Sequence, residues 1–130
     1  MAEKGKILVA EDEEMIRKIV EEVLGSHYNL SFAENGHDAI EKARSFKPDL
    51  ILLDIMMPKF NGFEVCEELR EDEAFKKTII IMVTALADKD SYKQAIKAGA
   101  DDFITKPFNP VDLRTKVQLM FRLRNRFISK

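Results

Sequence analysis

The chain has 130 residues, of which 45% are hydrophobic and 34% charged, and its formal net charge is −2. That length suits one domain with a sizeable core, and the balance excludes both a disordered chain and one that binds nucleic acid through bulk positive charge. A single cysteine, Cys66, excludes an internal disulfide and fits a reducing cytoplasm.

No apolar run approaches the ~20 residues of a membrane span. Residues 1–6 lack the apolar segment of a signal peptide, and no repeat or low-complexity tract interrupts the chain. Lys6–Ala10 reads as a first short strand, and it runs directly into Glu11-Asp12-Glu13-Glu14. Ile16, Ile19, Val20, Val23 and Leu24 then recur at helical spacing, and Gly25 can end that helix. Acids at a helix start suit its dipole, which accounts for Glu13 and Glu14. It accounts less well for Glu11 and Asp12, which stand at the strand end.

Residues 29–33 read as a second strand, followed by the turn formers Asn35-Gly36. A helix with Ala39, Ile40, Ala43 and Phe46 on one side extends to about Lys47. Leu50-Ile51-Leu52-Leu53 is a continuous apolar run, as expected of a strand buried on both faces of a parallel sheet. It ends on Asp54, and Pro58 stops any regular continuation. The next helix, from Gly62 to about Asp72, places Cys66 on the same broad face as Val65 and Leu69, so a buried, inert thiol is expected.

Residues 78–84 form another buried-type strand, ending on Thr84. A shorter helix follows, with Tyr92, Ala95 and Ile96 on one face and Gly99 at its end. Phe103-Ile104-Thr105 is a brief fifth strand before Lys106-Pro107. Asn109 has the character of an N-cap, Pro110 of a first helical residue, and the last helix is predicted to reach about Phe127. The order is βα repeated five times, which implies a parallel sheet with helices on both faces.

The polar residues at the strand ends carry the chemistry. In a parallel sheet every carboxyl end lies along one edge, where open α/β folds bind their ligands. Glu11 and Asp12, Asp54, Thr84 and Lys106 all fall there. Taken singly, Asp54 could cap a loop, Lys106 could be a surface lysine and Phe103 a core aromatic. Together, two or three carboxylates in close quarters repel one another, and a hard divalent cation relieves that repulsion. Mg²⁺ fits best, with Mn²⁺ as a substitute. A carboxylate can attack phosphorus to give an aspartyl phosphate, and Lys106, the cation and the Thr84 hydroxyl would stabilise the transferring group.

Four stretches resemble the receiver domain of two-component response regulators, the chemotaxis-Y-like fold. They are Ile7-Leu8-Val9-Ala10-Glu11-Asp12-Glu13, Leu52-Leu53-Asp54-Ile55-Met56-Met57-Pro58 with Asn61-Gly62, Val83-Thr84-Ala85, and the run from Gly99 to Phe108. The resemblance implies a flavodoxin-like doubly wound (βα)5 fold with a five-stranded parallel sheet in the order 2-1-3-4-5. It implies that Asp54 accepts a phosphoryl group from a histidine kinase or phosphotransfer protein. Asp12 would bind Mg²⁺ directly, Glu11 largely through water, and the Met56 backbone carbonyl would be a further ligand. Thr84 and Phe103 would be switch residues, and Lys106-Pro107 a cis peptide. Where the family commonly has two aspartates, this chain has Glu11-Asp12.

Three rivals are weighed against that reading. A flavin- or nucleotide-binding protein would need a phosphate loop after the first strand, where four acids would repel a phosphate. A haloacid-type phosphatase would want an acid where Met56 stands. A phosphorylation-independent interaction module would have no need to retain every site residue. The expectation is a single receiver over 1–130, with a core of about 5–121 and an extended last helix. It would be cytoplasmic and not an enzyme beyond its own phosphorylation and dephosphorylation, with no direct contact to nucleic acid or membrane. No output segment follows residue 130, so the chain is expected to be a stand-alone receiver or a piece of a longer regulator. Met56 and Leu86, bulky and apolar at the positions that flank the hydrolytic water in the family, imply slow dephosphorylation. Leu119, Leu123 and Phe127 form an apolar stripe outside the core-facing Leu113, Val117, Met120 and Phe121. Arg114, Lys116, Arg122, Arg124 and Arg126 surround it. On pattern alone a wide core-facing helix whose basic end suits its dipole is the rival reading. The resemblance implies homodimer or downstream-protein docking at the face of the fourth helix, fifth strand and fifth helix.

Overall fold

The computed structural model describes residues 4–85 and 89–128, with side chains as far as residue 126. The elements follow in the order β1 (Lys6–Ala10), α1 (Glu14–Leu24), β2 (Asn29–Ala33), α2 (Gly36–Phe46), β3 (Leu50–Asp54), α3 (Gly62–Arg70), β4 (Ile79–Thr84), α4 (Lys89–Ala98), β5 (Asp102–Thr105) and α5 (Pro110–Ile128). The five strands form one sheet in the order β2-β1-β3-β4-β5, and every pairing is parallel. This is the flavodoxin-like order that the resemblance implied.

Strict alternation along the three inner strands builds two cores. Ile7, Val9, Leu50, Leu52, Ile79, Ile81 and Val83 point to one face, where Val20, Val23 and Leu24 of α1 and Leu113 and Val117 of α5 cover them. Leu8, Ala10, Ile51, Leu53, Ile80 and Met82 point to the other. There α2, α3 and α4 cover them through Ala39, Ile40, Ala43, Val65, Cys66, Leu69, Ala95 and Ala98. Truncating a fully buried member such as Leu53 or Ile81 to alanine costs about 2–5 kcal/mol. Burial pushes the Cys66 thiol up to about 11, so it is the inert core thiol expected.

The caps explain most helix starts. Asn35 accepts the Asp38 N–H at 2.9 Å, Asn61 and Glu64 form a reciprocal capping box, and Asn109 accepts the Val111 N–H at 2.7 Å. Gly25 ends α1 as expected, in a right-handed conformation. Three details differ from expectation. The helix α3 stops at Arg70, because Asp72 caps a separate 3₁₀ turn, Glu73–Phe75, by accepting the Ala74 N–H at 2.9 Å. Strand β4 starts at Ile79, one residue late, since the Thr78 carbonyl is taken by Arg70. In α4 the buried line is Ser91, Ala95 and Ala98, which leaves Tyr92 and Ile96 exposed. Small residues on that line let the helix lie close to the sheet, and the bulky ones turn outward.

Candidate functional site

The carboxyl edge of the sheet gathers the residues singled out from the strand ends. Asp54 closes β3 opposite Val83, and Thr84 closes β4 opposite Thr105. Glu11 follows β1 directly and is pinned by its own N–H, which donates to the Ala33 carbonyl at 2.9 Å. The Lys106 N–H donates to the Thr84 carbonyl at 2.7 Å, and the Lys106-Pro107 peptide is cis, as the resemblance implied. Glu11, Asp54 and Thr84 are buried, whereas Asp12 is exposed.

Three carboxylates converge. Oxygens of Glu11, Asp12 and Asp54 all lie within 4.8 Å of one another. The Lys106 ammonium stands 2.8 Å from Glu11 Oε1, 3.2 Å from Asp54 Oδ2 and 3.8 Å from Glu13 Oε1. Asp54 Oδ1 accepts the Met56 N–H at 3.1 Å, and Glu11 Oε2 accepts the Glu13 N–H at 3.2 Å. Burial pushes the Glu11 carboxyl up to about 7, and the Asp54 anion adds to that. The Lys106 hydrogen bond and the Glu13 N–H oppose it. For Lys106, burial works against the charged form. The Glu11 hydrogen bond and the two anions outweigh it, so the ammonium is held above its ordinary range.

The donor set fits a divalent cation. Three carboxyl groups converge beside one ammonium, and all the donors are hard oxygens. Mg²⁺ needs few protein ligands and keeps several waters, which suits a trio with one exposed member.

Two neighbours of the site were not legible as such. Glu13, which the helix dipole had explained, turns toward Lys106, and Arg17 donates from Nη1 to the Glu11 carbonyl at 2.8 Å. The spacing of Glu13, just before α1, and Arg17, four residues on, was the available signal. Phe103 is half-buried on β5, with its ring edge-on to Tyr92 at a centroid distance of 5.7 Å. Met56 projects its side chain outward. Leu86 lies outside the described residues, as does the Phe127 side chain. On α5, Leu119 is exposed, while Leu123 is half-buried beside Ile79 and Met120.

An open parallel sheet with clustered acids and a lysine at its carboxyl edge is the arrangement that the receiver resemblance implied. The family pattern of the response regulator receiver domain matches residues 7–118, and the chain belongs to that family. It is 43% identical over 118 residues to the transcriptional regulatory protein ResD of Bacillus subtilis, covering 90% of this chain and 48% of that protein. It is 40% identical over 118 residues to the alkaline phosphatase synthesis transcriptional regulatory protein PhoP of the same organism, with the same coverage. The chain thus spans about half the length of these relatives. Among solved structures, chemotaxis protein CheY4 of Vibrio cholerae superimposes with a TM-score of 0.86 at 30% identity, over 91% of this chain and 99% of that one. The BeF3-activated DrrB receiver domain gives 0.84 at 32% identity, over 92% and 99%. The chain is thus a receiver domain of the kind response regulators carry, consistent with phosphorelay signalling.

Proposed function

We propose that Asp54 is the phosphoacceptor of this receiver and takes its phosphoryl group from a histidine kinase or phosphotransfer protein. One observation carries the reading: a buried carboxylate at the end of the central strand, held by Lys106 and within 4.8 Å of two further carboxylates. Glu11, Asp12, Asp54 and the Met56 carbonyl would hold Mg²⁺, or Mn²⁺ in its place. The bound ion would neutralise charge on the phosphoryl oxygens. Asp54 attacks phosphorus as the anion. The new P–O bond forms as the P–N bond to the donor imidazole breaks, and that nitrogen leaves with the electron pair. Lys106 offsets the charge that gathers on Asp54, and the Thr84 hydroxyl donates to a phosphoryl oxygen. Met56 offers no acid or amide to orient a hydrolytic water, which supports a long-lived phosphoryl group.

The receiver unit is placed at about 5–121, with the rest of α5 as its extension. Its output is assigned to the α4-β5-α5 face with Phe103 and Thr84 as switch residues, through a second copy or a downstream protein. The setting is cytoplasmic, as a kinase partner and a lone free thiol favour. No direct nucleic-acid contact is assigned to this domain. The relatives' names as transcriptional regulators belong to proteins about twice as long.

The test is incubation with acetyl phosphate and Mg²⁺, followed by mass spectrometry. Wild type should gain one acid-labile phosphoryl group, and neither metal-free protein nor Asp54→Asn should do so. Equal labelling of the mutant would remove Asp54 from the role.

A further inference from the structure

The loop joining β3 to α3, residues 55–61, carries Met56 and bends in an unusual way. Lys59 has φ 60° and Phe60 φ 127°, both on the left-handed side that side chains rarely adopt. For a bulky aromatic residue this is an outlier, and it persists only where the surroundings over-determine it. A glycine would take the same angle at no steric cost, so the ring that stays there must be held by something.

The first turn of α2 holds it. Gly36 lies so close to Phe60 that a Cβ at Gly36 would overlap the Phe60 carbonyl oxygen and stand 2.8 Å from its carbonyl carbon. The Gly36 N–H also faces the Pro58 carbonyl at 3.5 Å. His37 lays its ring nearly parallel to that of Phe60, at 11° and a centroid distance of 5.5 Å. Phe60 packs in turn against the core beneath α2 and α3. The loop ends are fixed independently, by the Ile55 N–H to Val83 O at 3.3 Å and by the Gly62 N–H to Ile55 O at 2.9 Å.

We propose that Gly36 and His37 are positioning residues for the divalent cation. They clamp the left-handed Lys59-Phe60 backbone and so set where the Met56 carbonyl stands relative to the acidic trio. The inference rests on the metal reading above. Mg²⁺ tolerates little departure from octahedral geometry, so a carbonyl ligand on a loose loop contributes less than one on a clamped loop.

The experiment is Mg²⁺ titration by calorimetry on wild type, His37→Ala, His37→Phe and Phe60→Gly, with Asp12→Ala as the check on the metal reading. Metal-free thermal unfolding is run on the same set. His37→Ala should weaken Mg²⁺ binding about 2–10-fold, the scale of one lost ring stack. Phe60→Gly, which frees the backbone as well, should weaken it by about 10-fold or more. His37→Phe keeps the stack and should keep wild-type affinity. If wild type binds Mg²⁺ but His37→Ala and Phe60→Gly match it, whatever their melting temperatures, the clamp is overturned. If wild type fails to bind, or Asp12→Ala loses nothing, the metal reading falls and the clamp with it.

Discussion

Lys106 sits closer to Glu11 than to Asp54: its ammonium is 2.8 Å from the first carboxylate and 3.2 Å from the second. Lys106, the residue directly after β5, therefore bridges a proposed metal ligand and the proposed phosphoacceptor. Removing it as Lys106→Met should leave two buried acids without their cation. The expected loss is about 3 kcal/mol of metal-free stability, measured by urea unfolding. Saturating Mg²⁺ should recover part of that loss and bind at least as tightly as to wild type, since one competing positive charge is gone. Weaker Mg²⁺ binding by Lys106→Met would show that the lysine organises the acids rather than balancing them.

Glu11 sets a pH dependence of definite sign. Its carboxyl is pushed from the model-compound value of 4.5 to about 7, mainly by burial. Between those two values the folded chain holds a proton that the unfolded chain has released, so stability falls as pH rises through the window. The contribution is fully present below about 4.5 and lost above about 7, on the order of 3 kcal/mol. In EDTA, the difference in melting temperature between wild type and Glu11→Gln should change across pH 5 to 7 and level off above it. Mg²⁺ requires the anion, so its affinity should rise over the same interval. A flat difference would place the Glu11 titration elsewhere.

Arg70 ties together four segments at the opposite end of α3. Its Nε donates to the Gly99 carbonyl at 2.9 Å, and Nη1 donates to the Phe75 and Thr78 carbonyls, both at 2.7 Å. Nη2 pairs with Asp101 Oδ2 at 2.8 Å, and that oxygen also accepts the Ile80 N–H at 2.9 Å. Gly99, with φ 109°, lets the Arg70 stem pass so closely that a Cβ there would meet Arg70 Cγ at 2.6 Å. Arg70→Ala should cost about 3 kcal/mol or more, because buried carbonyls lose their donor together. Arg70→Lys should rescue little of it, lacking the planar fork. A loss under 1 kcal/mol in urea unfolding would show that water replaces the guanidinium without penalty.

Arg70 also shows where sequence reading runs out. The strands were legible because both faces of β1, β3 and β4 are buried and the runs are therefore uninterrupted. The site was legible because parallel strands bring all their carboxyl ends to one edge, so Glu11, Asp54, Thr84 and Lys106 could be grouped before any distance was known. Arg70 has carbonyls and a distant aspartate as partners, and a carbonyl carries no residue identity to recognise. The exposed line of α4 was not legible for a related reason. Tyr92 and Ile96 have core chemistry, but the sheet accepts only Ser91, Ala95 and Ala98 at that spacing. Periodicity locates a helix face, and the size of the gap beneath it decides which face goes down.

Those outward side chains give the output proposal its sharpest form. Tyr92 and Ile96 on α4 and Leu119 on α5 are 53%, 45% and 44% exposed, and they flank β5, where Phe103 meets Tyr92 edge-on. Lys116 crosses the same side, paired with Asp102 at 3.1 Å. Activation by phosphorylation, or by beryllofluoride as its mimic, is expected to strengthen self-association or partner docking here. Ile96→Glu with Leu119→Glu should block that association while Asp54 labelling continues. Because both sites are exposed, each change should alter stability by no more than about 0.5 kcal/mol. Leu123→Glu is the poorer probe, since Leu123 is half-buried beside Ile79 and Met120 and a charge there would also loosen α5. Sedimentation of the activated protein decides the matter, read together with hydrogen exchange over α4 and α5. A monomer with unchanged exchange on both helices would mean that this face is not where the signal leaves.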